Sequence, residues 1–274
     1  MDRQNLSMLM DFYELTMGNG YYKTGLSQKI TYFDVFFRNV PDGGGFAIAT
    51  GRSWESVEKC LGDLRVNRPC VLANGGLLYD LARHTPVSVQ ALPQEARAYT
   101  RKMMEQFPDA GIEVFTASDV WILRENDITR AHMANEGIHC RFGTMEDVQE
   151  PWCKMLLASL EQPAIKAFTE SLAPQGVRFV ASSDRYWEML PEDAHKGTGI
   201  QRLAQACGYS LAQVAAIGDY YNDMEMLRTA GITAAPSNAP EEIRQMAGFV
   251  AGPCDEGAVA DFIEKLEAQY AVSS

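Results

Sequence analysis

The sequence predicts an α/β protein: a doubly wound parallel sheet with an α+β module inserted into it. Three observations carry this. From Gly45 to about residue 81, short apolar runs alternate with a helix-patterned segment. From about Lys196 to the end the same alternation returns. Between about 82 and 189 it lapses into a mixture of strands, helices and a hairpin.

The elements follow in chain order. "NLSMLMDFYELTMGNGYY" has Leu6, Leu9, Met10, Tyr13, Leu15 and Met17 at helical spacing, and Gly18-Asn19-Gly20 to stop it. "KITYFDVFFR" reads as a strand and "NVPDGGG" as a loop. "GFAIAT" is a short buried strand, "GRSWESVEKCLGDL" a helix, "PCVLAN" a strand, and "GGLLYD" another strand after a turn. In the inserted module, "HTPVSVQAL" and "VWILREN" read as strands. "PQEARAYTRKMMEQF" and "WCKMLLASLEQPAIKAFTESL" read as helices, and "GVRFVASSDRYWEML" as a hairpin. The closing run is helix "GTGIQRLAQACG", strand "QVAAIG", helix "NDMEMLRTAG", strand "ITAAPS", helix "APEEIRQMAG", strand "FVAG" and helix "EGAVADFIEKLEAQY".

Composition narrows the function classes. A chain of 274 residues, 46% hydrophobic and 22% charged, is an ordinary globular protein with room for one large domain or two. A net charge of -12 disfavours nucleic acid and anionic membranes as partners. No apolar run is long enough to span a bilayer. The six cysteines form no C-x-x-C pair and read as scattered reduced thiols, so a cytoplasmic location is expected.

The chemistry sits in three places. In "VAAIGDYYNDMEML" a buried strand ends at Gly218-Asp219, and Asp223 follows four residues later. Ligands of open α/β sheets bind at carboxyl ends of strands. Asp219 and Asp223 with Asn222 make a hard oxygen set suited to Mg²⁺ and a substrate phosphate. Thr50 follows "FAIA", and Gly51 and Arg52 then open a helix, where a hydroxyl and free amides can hold phosphate. Lys196 starts a helix against its dipole, which a phosphoryl group or metal-bound carboxylates would favour. His195 reads as a cap or surface residue rather than a catalyst.

In this order, "AIATGRSWESV", "CVLANGGLLYD", "HKGTGIQRLA", "AAIGDYYNDMEML" and "APSNAPEEIRQMA" resemble successive landmarks of the haloacid-dehalogenase-like (HAD) superfamily, in its Cof-type phosphatase branch. The likeness spans about Ile48 to Leu266. It implies a Rossmann-like core (48–81 and 190–274), a cap domain (82–189), Mg²⁺, and hydrolysis of a sugar phosphate or other small phosphate ester. By position, Thr50 would hold phosphoryl oxygens and Lys196 would stabilise charge. Asp219 and Asp223 would hold the metal with Asn222 assisting. Gly51, Asn74 and Asn238 would line the phosphate side.

That family's first motif, Asp-x-Asp-Gly-Thr, is absent from residues 1–50. Its first Asp is the nucleophile and its second the general acid/base. Asp11 precedes Thr50 by about the family's usual separation, but in an apparent helix with Tyr13 at +2. Asp34 ends an apolar strand but lies close to Thr50, with Phe36 at +2. Residues 5–47 instead resemble the start of a nicotinate phosphoribosyltransferase, in which Tyr13 would contact the base. Impaired hydrolysis is the expectation. A phospho-ligand-binding pseudo-phosphatase and a transferase fragment are the alternatives. The expected partner is a small phosphorylated metabolite.

Overall fold

A computed structural model describes residues 7–10, 45–61, 64 and 66–270. Its contacts divide the chain into two units: Met1–Gly51 with Cys60–Val87 and His195–Ser274, and Arg52–Lys59 with Ser88–Ala194.

The first unit is built on a parallel sheet. Its strands are β1 (Ser7–Met10), β2 (Gly45–Ile48), β12 (Val214–Ile217), β13 (Ile232–Pro236) and β14 (Phe249–Ala251), in the order β14-β13-β12-β1-β2. Strands β2, β12 and β13 are buried throughout, as strands covered on both faces must be. Strand β1 pairs in register with both neighbours, Met10 facing Ile48 on one side and Ile217 on the other. The connections run outward in opposite directions from β1 and β12. The boundary between those two strands is therefore the topological switch point, where a parallel sheet opens a crevice at its carboxyl edge.

The helical reading of the N-terminus fails at Ser7–Met10, which are strand. Four apolar or small residues cannot be told from a helical turn by period alone, and a central parallel strand needs no alternation. The readings made for residues 11–44 lie outside the described residues. Strands β3 (Cys70–Leu72), β4 (Leu77–Asp80) and β5 (Thr85–Val89) form a small separate sheet, joined to β2 through the Ala49–Val71 bridge. The C-terminal helices are α5 (Lys196–Cys207), α6 (Met224–Thr229), α7 (Glu241–Met246) and α8 (Ala258–Tyr270), as their patterning predicts. Ile200 and Leu203 of α5 pack with Val71, Leu78, Val214 and Met226.

In the second unit a mostly antiparallel sheet runs β10-β11-β9-β6-β7-β8. Its members are β6 (Gly111–Phe115), β7 (Val120–Arg124), β8 (Cys140–Phe142), β9 (Lys154–Ala158), β10 (Val177–Ala181) and β11 (Tyr186–Pro191). Helix α1 (Trp54–Leu61) gives its first residues to this unit, with α2 (Ala96–Gln106), α3 (Asp127–Glu136) and α4 (Gln162–Ser171). "KMLLA", read as helix, is β9; it lies between β6 and β11, so both faces are buried and alternation vanishes. The helix starts only at Gln162, with a proline in its first turn.

This unit buries charge. Lys154 Nζ meets Glu188 Oε1 at 3.2 Å and lies 4.0 Å from the Phe115 ring centroid. His132 Nδ1 lies 2.8 Å from Glu113 Oε2. Burial lowers the His132 pKa, but Glu113 and Glu136 outweigh it against Lys154 and leave the imidazole above its ordinary value. A raised folded-state pKa stabilises below the unfolded value of 6.5 and loses that contribution as pH rises through the folded value. Denaturant midpoints are thus expected to fall as pH rises above about 6.5, and His132→Gln should flatten that dependence.

Candidate active site

Lys196 and Asp223 are both fully buried and form an ion pair of 2.7 Å, Nζ to Oδ1. The other oxygen of Asp223 accepts hydrogen bonds from the amides of Asp219 (3.0 Å) and Tyr220 (3.3 Å). One carboxylate therefore neutralises the lysine and folds the loop that follows β12. Gly218 is required there, because a Cβ would stand 2.6 Å from that of Asp223. Burial pulls the Lys196 ammonium below its usual pKa, against the opposing pull of Asp223 and Asp219. Asn222 Oδ1, on the same loop, is buried with no hydrogen-bond partner among the described residues.

Lys196 opens α5 because His195 caps it. His195 Nδ1 accepts from the Thr198 amide, and the His195 amide donates to Thr198 Oγ1, each at 3.2 Å. The imidazole is thus a structural cap. Its backbone leans on a strained turn after β3, where Ala73, Asn74 and Gly75 have φ of 49°, 52° and 97°. A Cβ on Gly75 would sit 2.3 Å from the His195 carbonyl oxygen, so backbone sterics demand glycine twice over. Arg202 of α5 donates to the Gly75 carbonyl.

That turn also fixes Thr50. The Thr50 amide donates to Val71 O at 2.8 Å, and the Asn74 amide donates to Thr50 O at 3.0 Å. The Asn74 side chain packs on Gly51, where a Cβ would lie 2.9 Å from Nδ2. Thr50 is fully buried. A continuous set of contacts thus runs from Thr50 through Asn74 and Gly75 to His195, Lys196, Asp223 and the amide of Asp219. Asn238 follows β13 at the same sheet edge, but it is exposed and its Oδ1 accepts from the Cys254 amide at 3.0 Å. Sequence reasoning missed Arg202 and the Gly75–His195 contact; the only available signal was the glycine pair after β3.

Asp11 and Asp34 lie outside the described residues, as does Tyr13. The chain nevertheless passes directly from Met10, the last residue of β1, to Asp11. No described helix is long and apolar enough to cross a membrane.

Comparison with known proteins agrees with this architecture. Residues 37–263 match the family described as haloacid dehalogenase-like hydrolase. The 5-amino-6-(5-phospho-D-ribitylamino)uracil phosphatase YwtE of Bacillus subtilis (strain 168) is 28% identical over 263 residues, covering 85% of this chain and 90% of that protein. The HMP-PP phosphatase of Yersinia pseudotuberculosis serotype I (strain IP32953) is 25% identical over 229 residues, covering 81% and 82%. A haloacid dehalogenase-like hydrolase from Bacteroides thetaiotaomicron superposes with a TM-score of 0.82 at 20% identity, covering 96% of this chain and 99% of that one. The nicotinate phosphoribosyltransferase likeness of residues 5–47 draws no support from these findings, and Ser7–Met10 form a strand of the sheet just described. The chain belongs to the haloacid dehalogenase-like hydrolases, in the Cof-type phosphatase branch.

Proposed function

We propose that the chain is a Mg²⁺-dependent phosphatase of small phosphorylated metabolites, with Asp11 as its nucleophile. The observation that carries this reading is the position of β1. It lies at the switch point between β2, which leads to Thr50, and β12, which leads to Asp219. The next residue in the chain is a carboxylate. The helical reading of "SMLMDFYELT" counted against Asp11, and the first four residues of that stretch are strand.

Each residue then has a task. Thr50 and the amides about it hold phosphoryl oxygens, with Gly51 and Asn74 shaping that side. Lys196 stabilises the negative charge on the transferring group. Asp219 and Asn222 present oxygen donors that suit Mg²⁺, and the unsatisfied Asn222 Oδ1 fits that use. Asp223 is committed to Lys196 and two amides, so it orients the set. When bound, Mg²⁺ would supply charge neutralisation for the phosphate. Asp11 attacks phosphorus, an aspartyl-phosphate forms as the ester oxygen departs, and water then hydrolyses it.

One part is missing. Position 13 is Tyr where the family carries the acid that protonates the leaving oxygen, and a phenol of pKa about 10 is poorly matched to that work. Slow turnover is expected, best on activated esters whose leaving group needs no proton. The second unit serves as the cap that selects the substrate. The relatives named above support a small phosphorylated metabolite as that substrate. Purified protein with Mg²⁺ should hydrolyse p-nitrophenyl phosphate faster than sugar phosphates, and Asp219→Asn should remove both activities. Activity that survives this substitution would overturn the assignment.

A further inference from the structure

We propose that Glu136, at the end of α3, is a positioning residue for the phosphoryl-binding segment at Thr50, acting through Arg52 and Ser56. The proposal rests on the phosphatase reading for its meaning, and on the following contacts for its existence. Glu136 Oε1 meets Arg52 Nη1 at 2.9 Å, with both side chains at most 10% exposed. Arg52 Nη1 also donates to Ser56 Oγ at 2.8 Å, and Ser56 Oγ donates to Glu136 Oε2. The three side chains close a ring of charge-assisted hydrogen bonds out of water, the setting in which such bonds are strongest.

Two features set this ring apart from ordinary packing. First, Glu136 occupies the last turn of α3, where a carboxylate opposes the helix dipole. Gly137 ends that helix in the left-handed conformation, so the carboxylate stands at an unfavourable end, where Arg52 and Ser56 hold it. Second, the start of α1 is tied to the same region at several further points. Trp54 Nε1 donates to Ser118 O at 3.0 Å, and Glu55 accepts from the His139 amide at 2.9 Å and meets His139 Nδ1 at 2.5 Å.

The consequence lies in the chain itself. A single residue, Gly51, separates Thr50 from Arg52. Thr50 is held on one side by Val71 and Asn74 through backbone bonds. On the other side, two residues on from Thr50, the chain enters the Arg52–Glu136–Ser56 ring. Loosening that ring frees the backbone by which Thr50 and the following amides meet a phosphate. Glu136 touches no reacting group, so its loss should weaken phosphate binding more than it slows the chemical step.

The test compares wild type with Glu136→Ala, Glu136→Gln and Arg52→Lys. For p-nitrophenyl phosphate with Mg²⁺, Glu136→Ala is expected to raise KM about tenfold with kcat nearly unchanged, a loss of ground-state binding. The inhibition constant of inorganic phosphate should rise in parallel, and Glu136→Gln, which keeps an acceptor, should recover part of the loss. Hydrogen exchange at the Thr50 and Asn74 amides, measured with no ligand, should quicken in Glu136→Ala while amides of β9 stay protected. If Glu136→Ala lowers thermal stability but leaves KM, phosphate inhibition and the Thr50 exchange rate unchanged, the ring is only structural and the proposal fails. If wild type shows no turnover, the exchange comparison alone decides: quickened exchange at Thr50 upholds the proposal, and unchanged exchange overturns it.

Discussion

Asp11→Asn is expected to lower turnover of p-nitrophenyl phosphate by on the order of 10³-fold or more, because it removes the covalent route. Asp34→Asn should leave turnover as it was. The asymmetry follows from the sheet, in which β1 fills the place between β2 and β12, and from the sequence, in which Asp11 comes next after Met10, the last residue of β1. The complementary change is Tyr13→Asp. It supplies a carboxyl group at the position where the family keeps its general acid/base, a role typically worth about 10²–10⁴-fold. Turnover of sugar phosphates, whose leaving oxygens need a proton, should rise more than that of p-nitrophenyl phosphate. Steady-state kinetics on both substrate types check the pair of changes. Equal activity of wild type and Asp11→Asn would move the nucleophile elsewhere.

The second large effect is expected at the Lys196–Asp223 pair. Both side chains are fully buried, so Asp223→Ala leaves an ammonium without its partner in the interior. Removing one member of a buried pair costs roughly 3–5 kcal/mol. Here the loop also loses the acceptor for the Asp219 and Tyr220 amides. Chemical denaturation should register the loss. Lys196→Met with Asp223→Leu should regain much of the stability, since apolar replacement of a buried pair is often neutral. It should regain none of the activity, because the charge proposed to stabilise the phosphoryl group is gone. Recovery of turnover in the double variant would show that Lys196 serves folding alone.

How far the sequence revealed this site depends on distance along the chain. Asp219, Asn222, Asp223, Thr50 and Lys196 could be named as candidates because each lies where an apolar run stops or a helix starts, and parallel sheets gather those points at one edge. Strand β1 was hidden because Leu6, Met10, Tyr13 and Met17 also satisfy a helical period, and four strand residues are too few to contradict it. Strand β9 was hidden because burial on both faces erased its alternation. The Arg52–Glu136–Ser56 ring had no signal at all, since Ser56 and Glu136 are 80 positions apart and each alone is an unremarkable helix residue.

The sheet order also dictates a schedule of assembly. Strand β1 ends at Met10, yet its partner β12 begins only at Val214. Between them the ribosome releases Ser88–Ala194, an unbroken stretch that completes the second unit together with Arg52–Lys59, already emerged. Domains tend to fold as their chain appears, and long-range parallel pairing is slow to close. The second unit is thus ready first and already holds the helix that follows Thr50. The parallel sheet closes afterwards, once β12 arrives beside a strand made before the whole Ser88–Ala194 stretch.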